Sequence, residues 1–378
     1  MRVVRRAAVT GIAVATMISG VVLAAGPGAS AQSAPQHSFI GRFHSTFTVA
    51  STVPPLVSDV NPYGVAVVPH SQGDLHQGDV LVSNFNNSAN QQGTGTTIVE
   101  ITPDGKFTQF ARIDAASLPG RCPGGIGLTT ALSVLRSGWV IVGSLPTANG
   151  TPATAKAGCL LVLNSHGRVV ETFSGRGING PWDMTALDLG GTAELFVTNV
   201  LNGTVAANGK VVQQGTVLRL LVTIAGGQPP QLRAVSEIGS GFAERTDPAA
   251  LVIGPTGVGL GPNGTLYVAD SLNSRIAAIP HAIIRLSSAG TGTTVSHGGA
   301  LNGPLGLAIA PGGDVLTVNS GDGNIVEITP DGMQVATHTL ESSGSPPGAG
   351  ALFGLAVAPQ GTGVYYVDDA TNTLDLLH

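Results

Sequence analysis

A seven-residue string, Val-Glu-Ile-Thr-Pro-Asp-Gly, occurs twice without change, at Val99–Gly105 and at Val326–Gly332. Internal repetition constrains architecture more than local propensity does, because each copy must bury its apolar face against the next. The Pro-Asp-Gly ending is itself a turn, with proline fixing φ and glycine supplying a positive φ. A longer unit contains the string. It opens on Gly or Pro-x-Gly and a small apolar strand, passes a Pro/Gly/Asn turn, and continues as a β-branched strand ending in Asn, Asp or Ser. One copy runs Gly303-Pro304-Leu305-Gly306-Leu307-Ala308-Ile309, then Val315-Leu316-Thr317-Val318-Asn319. Further openings are Asn61-Pro62-Tyr63-Gly64, Gly125-Ile126-Gly127-Leu128, Gly180-Pro181-Trp182-Asp183, Gly254-Pro255-Thr256-Gly257 and Phe353-Gly354-Leu355.

Six openings predict six modules, each a four-stranded antiparallel sheet of about 50 residues that cannot bury its faces alone. The expected fold is therefore an all-β, six-bladed β-propeller. After Val364–Val367 only one more strand, Leu374–Leu377, fits before the last residue. The sixth blade thus lacks its outer strand, and Phe39–Val49, which has strand composition, is expected to fill the place and close the ring.

The first residues read as an export leader. Arg2, Arg5 and Arg6 precede an apolar run from Ala7 to Ala25, and Ala29, Ser30 and Ala31 give the A-x-A pattern of a cleavage site. Residues 1–31 are expected to be a signal peptide and 32–378 one propeller domain, secreted or held in the periplasm or cell envelope, with no membrane span after cleavage. An uncleaved anchor is the alternative, because the run approaches the roughly 20 residues that span a bilayer. The chain holds 17 Lys and Arg against 22 Asp and Glu, and three of the arginines lie in the leader. What remains is acidic and has no basic cluster, which speaks against a nucleic-acid partner. Cys122 and Cys159 are the only cysteines and, in an exported chain, read as one disulfide. It would close about 37 residues, worth roughly 3 to 4 kcal/mol in the loop-entropy model.

The pattern Pro255-Thr256-Gly257, Leu266-Tyr267-Val268-Ala269-Asp270, Asn273-Ser274-Arg275-Ile276 resembles an NHL repeat, with weaker copies over nearly all of the chain after the leader. The resemblance implies the six-bladed group that includes SMP-30-type and TolB-like propellers. Its members include ligand-binding modules, lactonases and lyases, so it implies a shape and not an activity.

In such a blade the loops from strand two to three, and from strand four to the next blade, share one face. Phe85–Thr97, Leu145–Gly158 and Val200–Gly215 make that face deep over blades 1 to 3, with Gly239–Leu251 beside them. Long loops on a rigid scaffold commonly bind. The polar residues that end the second strands, Asn84, Ser144, Asn199, Asp270, Asn319 and Asp368, are expected near the channel mouth, where a ring of oxygens suits Ca²⁺ or Mg²⁺. The plainer alternative is that they bond their own turns. Asp183 replaces the glycine of most openings, which makes it a candidate ligand or catalytic base beside Trp182. No metal set can be carried over from the SMP-30-type lactonases, because the inner strand Tyr63–Val68 lacks their glutamate. Of the histidines only His297 approaches the loop-rich face; His70 and His76 fall in a first-to-second loop on the other side.

Two main readings follow, with a purely structural or surface-layer role as the third. One is a monomeric binding or interaction propeller for a protein, carbohydrate or small molecule, using the loop-rich face of blades 1 to 3. The other is a lactonase-like, metal-assisted hydrolase or lyase at the channel mouth, through some of Asp183, Asn199, Asp270, Asn319 and Asp368.

Overall fold

Each opening is apolar on both faces, so it takes the innermost place of its sheet. The structure, a computed structural model, describes residues 38–378; the expected leader and its cleavage site lie outside them. The inner strands are Val60–Val67, Leu128–Val134, Gly180–Asp188, Pro255–Leu260, Pro304–Ile309 and Leu352–Val357, and each opens an antiparallel blade of the six-bladed propeller. Among the described residues no helix is long and apolar enough to cross a membrane.

Pairing between the inner and second strands slips at one place in every blade, just after Pro62, Leu128, Pro181, Pro255, Pro304 and Leu352. There neighbouring inner strands meet backbone to backbone. A Cβ on Gly306 would overlap the Phe353 carbonyl oxygen, and one on Gly354 the Tyr63 carbonyl oxygen, so glycine is required for contact rather than for a turn. Hydroxyls seal the seams between blades. Ser83 Oγ donates to Thr129 O (2.8 Å), Thr129 Oγ1 to Pro181 O (2.8 Å) and Thr198 Oγ1 to Thr256 O (2.6 Å).

The ring closes as expected. Thr46–Ser51 pairs antiparallel with Thr373–Leu377, Thr46 opposite Leu377 and Ser51 opposite Thr373, and supplies the outer strand of the sixth blade. The strand begins later than Phe39 because the preceding residues are held elsewhere. The Phe39 and Ile40 amides donate to Glu327 (2.7 and 2.8 Å), and Ile40–Arg42 forms a 3₁₀ turn.

Two features depart from the repeat. In blade 2 the inner strand starts at Leu128, opposite Ser144, so Thr130, not Gly127, stands at the seam position of Gly306. Blade 3 is enlarged. Its outer strand, Gln231–Asp247, runs past the blade and pairs with a fifth strand, Leu251–Ile253. That hairpin brings Leu251 and Val252 into one apolar cluster with Tyr63, Trp182, Leu305 and Phe353.

Candidate functional site: a divided channel

The inner strands start with large apolar residues in blades 1, 3, 5 and 6, and these meet on the axis. Tyr63 stacks on Phe353 (4.0 Å between centroids) and on Phe85 (4.4 Å), with Trp182 at 6.0 Å. Leu251, Val252 and Leu305 complete a floor that divides the channel. On the loop-rich side is a cavity of about 350 Å³ lined by Asn61, Asp247, Ser320 and Asp369 above the aromatic rings. On the other side the later halves of the inner strands enclose about 360 Å³, which opens toward the first-to-second turns.

Asp183 lies in this second cavity, below the floor to which Trp182 belongs. It stands at the seam position that is glycine in four blades, and its side chain fills the gap to blade 4. Its Oδ2 accepts from the Val258 amide at 3.0 Å, and its own amide donates to Thr198 Oγ1 at 3.1 Å. Burial pushes its carboxyl up to about 8, against the opposing pull of the Met184 and Val258 amides. No other lining residue is an acid, base or histidine; Thr130, Ser133 and Thr185 add hydroxyls. The arrangement places one proton-exchanging group, poised near neutral pH, in a pocket otherwise made of backbone and aliphatic side chains.

The oxygens at the second-strand ends are mostly taken up within the blades. Asn84, Ser144, Asn199, Asp270, Asn319 and Asp368 are all buried, one layer outside the inner strands. Four of them latch the connector that leads into their own blade. Asn199 Oδ1 accepts from the Asn179 and Gly180 amides (2.8 and 3.1 Å), Asn319 Oδ1 from the Asn302 amide (3.1 Å) and Ser144 Oγ from the Gly127 amide (3.0 Å), while Asn84 Nδ2 donates to Thr52 O (2.9 Å). Asp270 holds Arg275 at 2.7 Å, and Asp368 accepts from the Ala370 amide at 2.8 Å. An oxygen ring for Ca²⁺ or Mg²⁺ needs these atoms free, whereas the side-chain oxygens of Ser144, Asn199, Asp270, Asn319 and Asp368 are engaged by connectors, turns or Arg275, and of the six only Asn84 has an oxygen, Oδ1, buried without a partner. Among the described residues, the divalent cation implied by the lactonase resemblance therefore has no fitting donor set at the second-strand ends or in the lower cavity. The lower cavity offers a single carboxylate, one oxygen of which already takes an amide.

The loops of blades 1 to 3 are joined to one another. Thr147 Oγ1 donates to Gln92 O (2.6 Å), Gln92 Nε2 to Pro248 O (3.0 Å) and the Gly209 amide to Thr246 Oγ1 (2.9 Å). The Cys122–Cys159 disulfide, S–S 2.08 Å, ties the connector entering blade 2 to the end of that blade's long loop. His297 lies at the end of an outer strand, Thr293–His297, opposite Arg275.

Several groups with shifted acidity gave no signal in the sequence. Asp369, in the upper cavity, is raised to about 6 by burial, and Glu244, under the blade 3 loop, to about 8 by burial. Among the described residues one group of three potential metal ligands, His76, Asp79 and Glu100, lies outside the channel, in blade 1.

No family model matches the chain, and no curated protein sequence does. Solved structures do. It is similar to a gluconolactonase from Xanthomonas campestris, at 14% identity and TM-score 0.54 over 88% of both chains. It is also similar to regucalcin, a calcium-binding protein of Agrobacterium tumefaciens, at 13% and 0.53 over 89% of this chain and 93% of that one. A luciferin-regenerating enzyme matches at 12% and 0.52 over 88% and 95%. At such identity the likeness carries the fold alone: this is a six-bladed β-propeller of the shape shared by gluconolactonase and regucalcin structures.

Proposed function

We propose that the chain takes a small uncharged molecule in the channel end lined by Asp183 and acts on it by acid–base chemistry of the kind that opens a cyclic ester. The observation that carries this reading is the carboxyl itself. It occupies a seam kept as glycine in four other blades, faces a cavity, and is pushed up to about 8. The likeness to a gluconolactonase supports the substrate class, and the disulfide supports work outside the cytoplasm. In the ionised form Asp183 takes a proton from water as the water oxygen bonds to the ester carbonyl carbon. The same carboxyl returns that proton to the ring oxygen as its bond to the carbonyl carbon breaks, which leaves a hydroxy acid. Ser133 and Thr185 would supply hydrogen bonds that orient the ester, the Thr130 hydroxyl being already donated to Trp182 O.

The test is turnover of a panel of small lactones by wild type and Asp183→Asn. Wild-type turnover should rise with pH through about 8 as the carboxyl ionises. The asparagine variant should lose about 100-fold or more, the usual worth of a positioned acid–base group. A variant as active as wild type, or a rate that is flat across pH 6 to 9, would refute the role.

A second reading has its own support. The loops of blades 1 to 3, with Cys122–Cys159 among them, form a surface set before any partner arrives, which lowers the ordering cost of binding a protein or carbohydrate. It expects partner capture that is indifferent to Asp183→Asn, so the same variant separates the two.

A further inference from the structure

The repeated string places the same glutamate in two blades with different surroundings. Glu100 sits opposite Leu81 in blade 1, and Glu327 opposite Leu316 in blade 5. In both blades an aspartate immediately precedes the second strand, Asp79 in the run Asp79-Val80-Leu81 and Asp314 in Asp314-Val315-Leu316. In blade 5 the N-terminal segment covers the glutamate. Ser38 Oγ and the Phe39 and Ile40 amides donate to it at 2.5, 2.7 and 2.8 Å.

Blade 1 has no such cover. Glu100 Oε1 accepts one amide, from His76 at 3.0 Å. Among the described residues no hydrogen-bond donor reaches the Asp79 carboxylate and no lysine or arginine lies within ion-pair distance of either acid, Lys106 acting on Asp79 only from farther off across the cavity, yet their side chains are only 9% and 6% exposed. The His76 imidazole Nδ1 stands 3.7 Å from Glu100 and 3.9 Å from Asp79. Those gaps are too long for hydrogen bonds. They are close to the roughly 3.4 Å that separates two ligands of one tetrahedral zinc ion. One donor atom from each residue lies within 4.8 Å of the others, beside a cavity of about 280 Å³.

We propose that His76, Asp79 and Glu100 bind one divalent transition-metal ion, zinc by preference, which supplies in blade 1 the positive partner that the N-terminal segment's donors supply in blade 5. An imidazole nitrogen with two carboxylates favours zinc over calcium or magnesium, which prefer all-oxygen shells. Three protein ligands leave a position open to water from the cavity. The site lies outside the channel and does not depend on the role of Asp183.

The experiment is titration of zinc chloride into chelator-treated full-length protein, followed by calorimetry and thermal melting, with calcium and magnesium chloride in parallel. Wild type should take up one zinc per chain and melt higher with it, while Asp79→Asn and Glu100→Gln lose that uptake at least tenfold and Asp314→Asn keeps it. No stoichiometric zinc uptake by wild type, uptake preserved in Asp79→Asn, or a preference for calcium overturns the assignment. Zinc-edge X-ray absorption on wild type needs no variant. One nitrogen with oxygens supports the site, and an all-oxygen or sulfur shell rejects it.

Discussion

Glu244 shows how a single buried acid sets the chemistry of its surroundings. Its Oε1 accepts the Asn202 amide at 2.9 Å, while Oε2 is buried with no partner, and burial pushes the carboxyl up to about 8. In the unfolded chain the group titrates near its ordinary value, about 4.3. Folding therefore takes up a proton between those values. The associated stability is fully present in acid and is lost as pH rises toward 8. Glu244→Gln keeps an acceptor for Asn202 and removes the titration, so it should melt higher than wild type at pH 8 and close to it at pH 4.5. Glu244→Ala leaves the Asn202 amide unpaired and should cost about 1 to 3 kcal/mol at pH 4.5, and less at pH 8, where removing the titrating carboxyl offsets the lost hydrogen bond. Melting curves of both variants at the two pH values decide the matter, and parallel curves for wild type and Glu244→Gln would exclude the buried acid. Asp183 was legible in the sequence because it broke a glycine pattern. Glu244 was not, because it lies in a strand extension that no other blade repeats.

Blade 2 shows what one element contributes when its repeat is imperfect. Its opening Gly125-Ile126-Gly127 has the right letters in the wrong frame, since pairing of Leu128 with Ser144 puts the inner strand three residues later. The cysteines were legible where the frame was not, because pairing the two thiols of a chain expected to be exported needs only their number. The bond joins residues 37 apart and anchors the connector whose Gly124 amide donates to Ala157 O at 2.8 Å. In the loop-entropy model closure of that length is worth about 4 kcal/mol. The Cys122→Ser/Cys159→Ser double variant should lose that much in denaturant unfolding while keeping its far-ultraviolet spectrum. Limited proteolysis should cut first in 113–127 or 145–158. Equal unfolding midpoints with and without the bond would mean that the loop–loop hydrogen bonds suffice alone.

At the scale of the whole molecule the ring was readable because every blade restates the same unit and Thr46–Ser51 completes one sheet with Thr373–Leu377. The floor across the channel was not readable. Tyr63, Trp182, Leu305 and Phe353 come from four blades and meet only on the axis, and the hairpin that brings Leu251 and Val252 has no counterpart. A ring so poor in charge buries its acids largely without cations, and acidity shifts accumulate in one direction. Asp183 and Glu244 are raised to about 8, Asp368 to about 7 and Asp369 to about 6, each chiefly by burial. Glu341, bonded to the Ser343 amide, is lowered instead, and its contribution is lost only below the ordinary carboxylate range, in a separate window. Between pH 5 and 8 the unfolded chain has therefore released protons that the folded chain still holds, and stability must fall as pH rises. Each such proton steepens the slope by about 1.4 kcal/mol per pH unit. Thermal melting should accordingly be highest near pH 5 and decline to pH 8, and Asp183→Asn with Glu244→Gln should flatten most of that decline. A melting temperature that rises across this range would show that the channel and loop acids are ionised in the folded chain, and the acid–base role given to Asp183 would lose its premise.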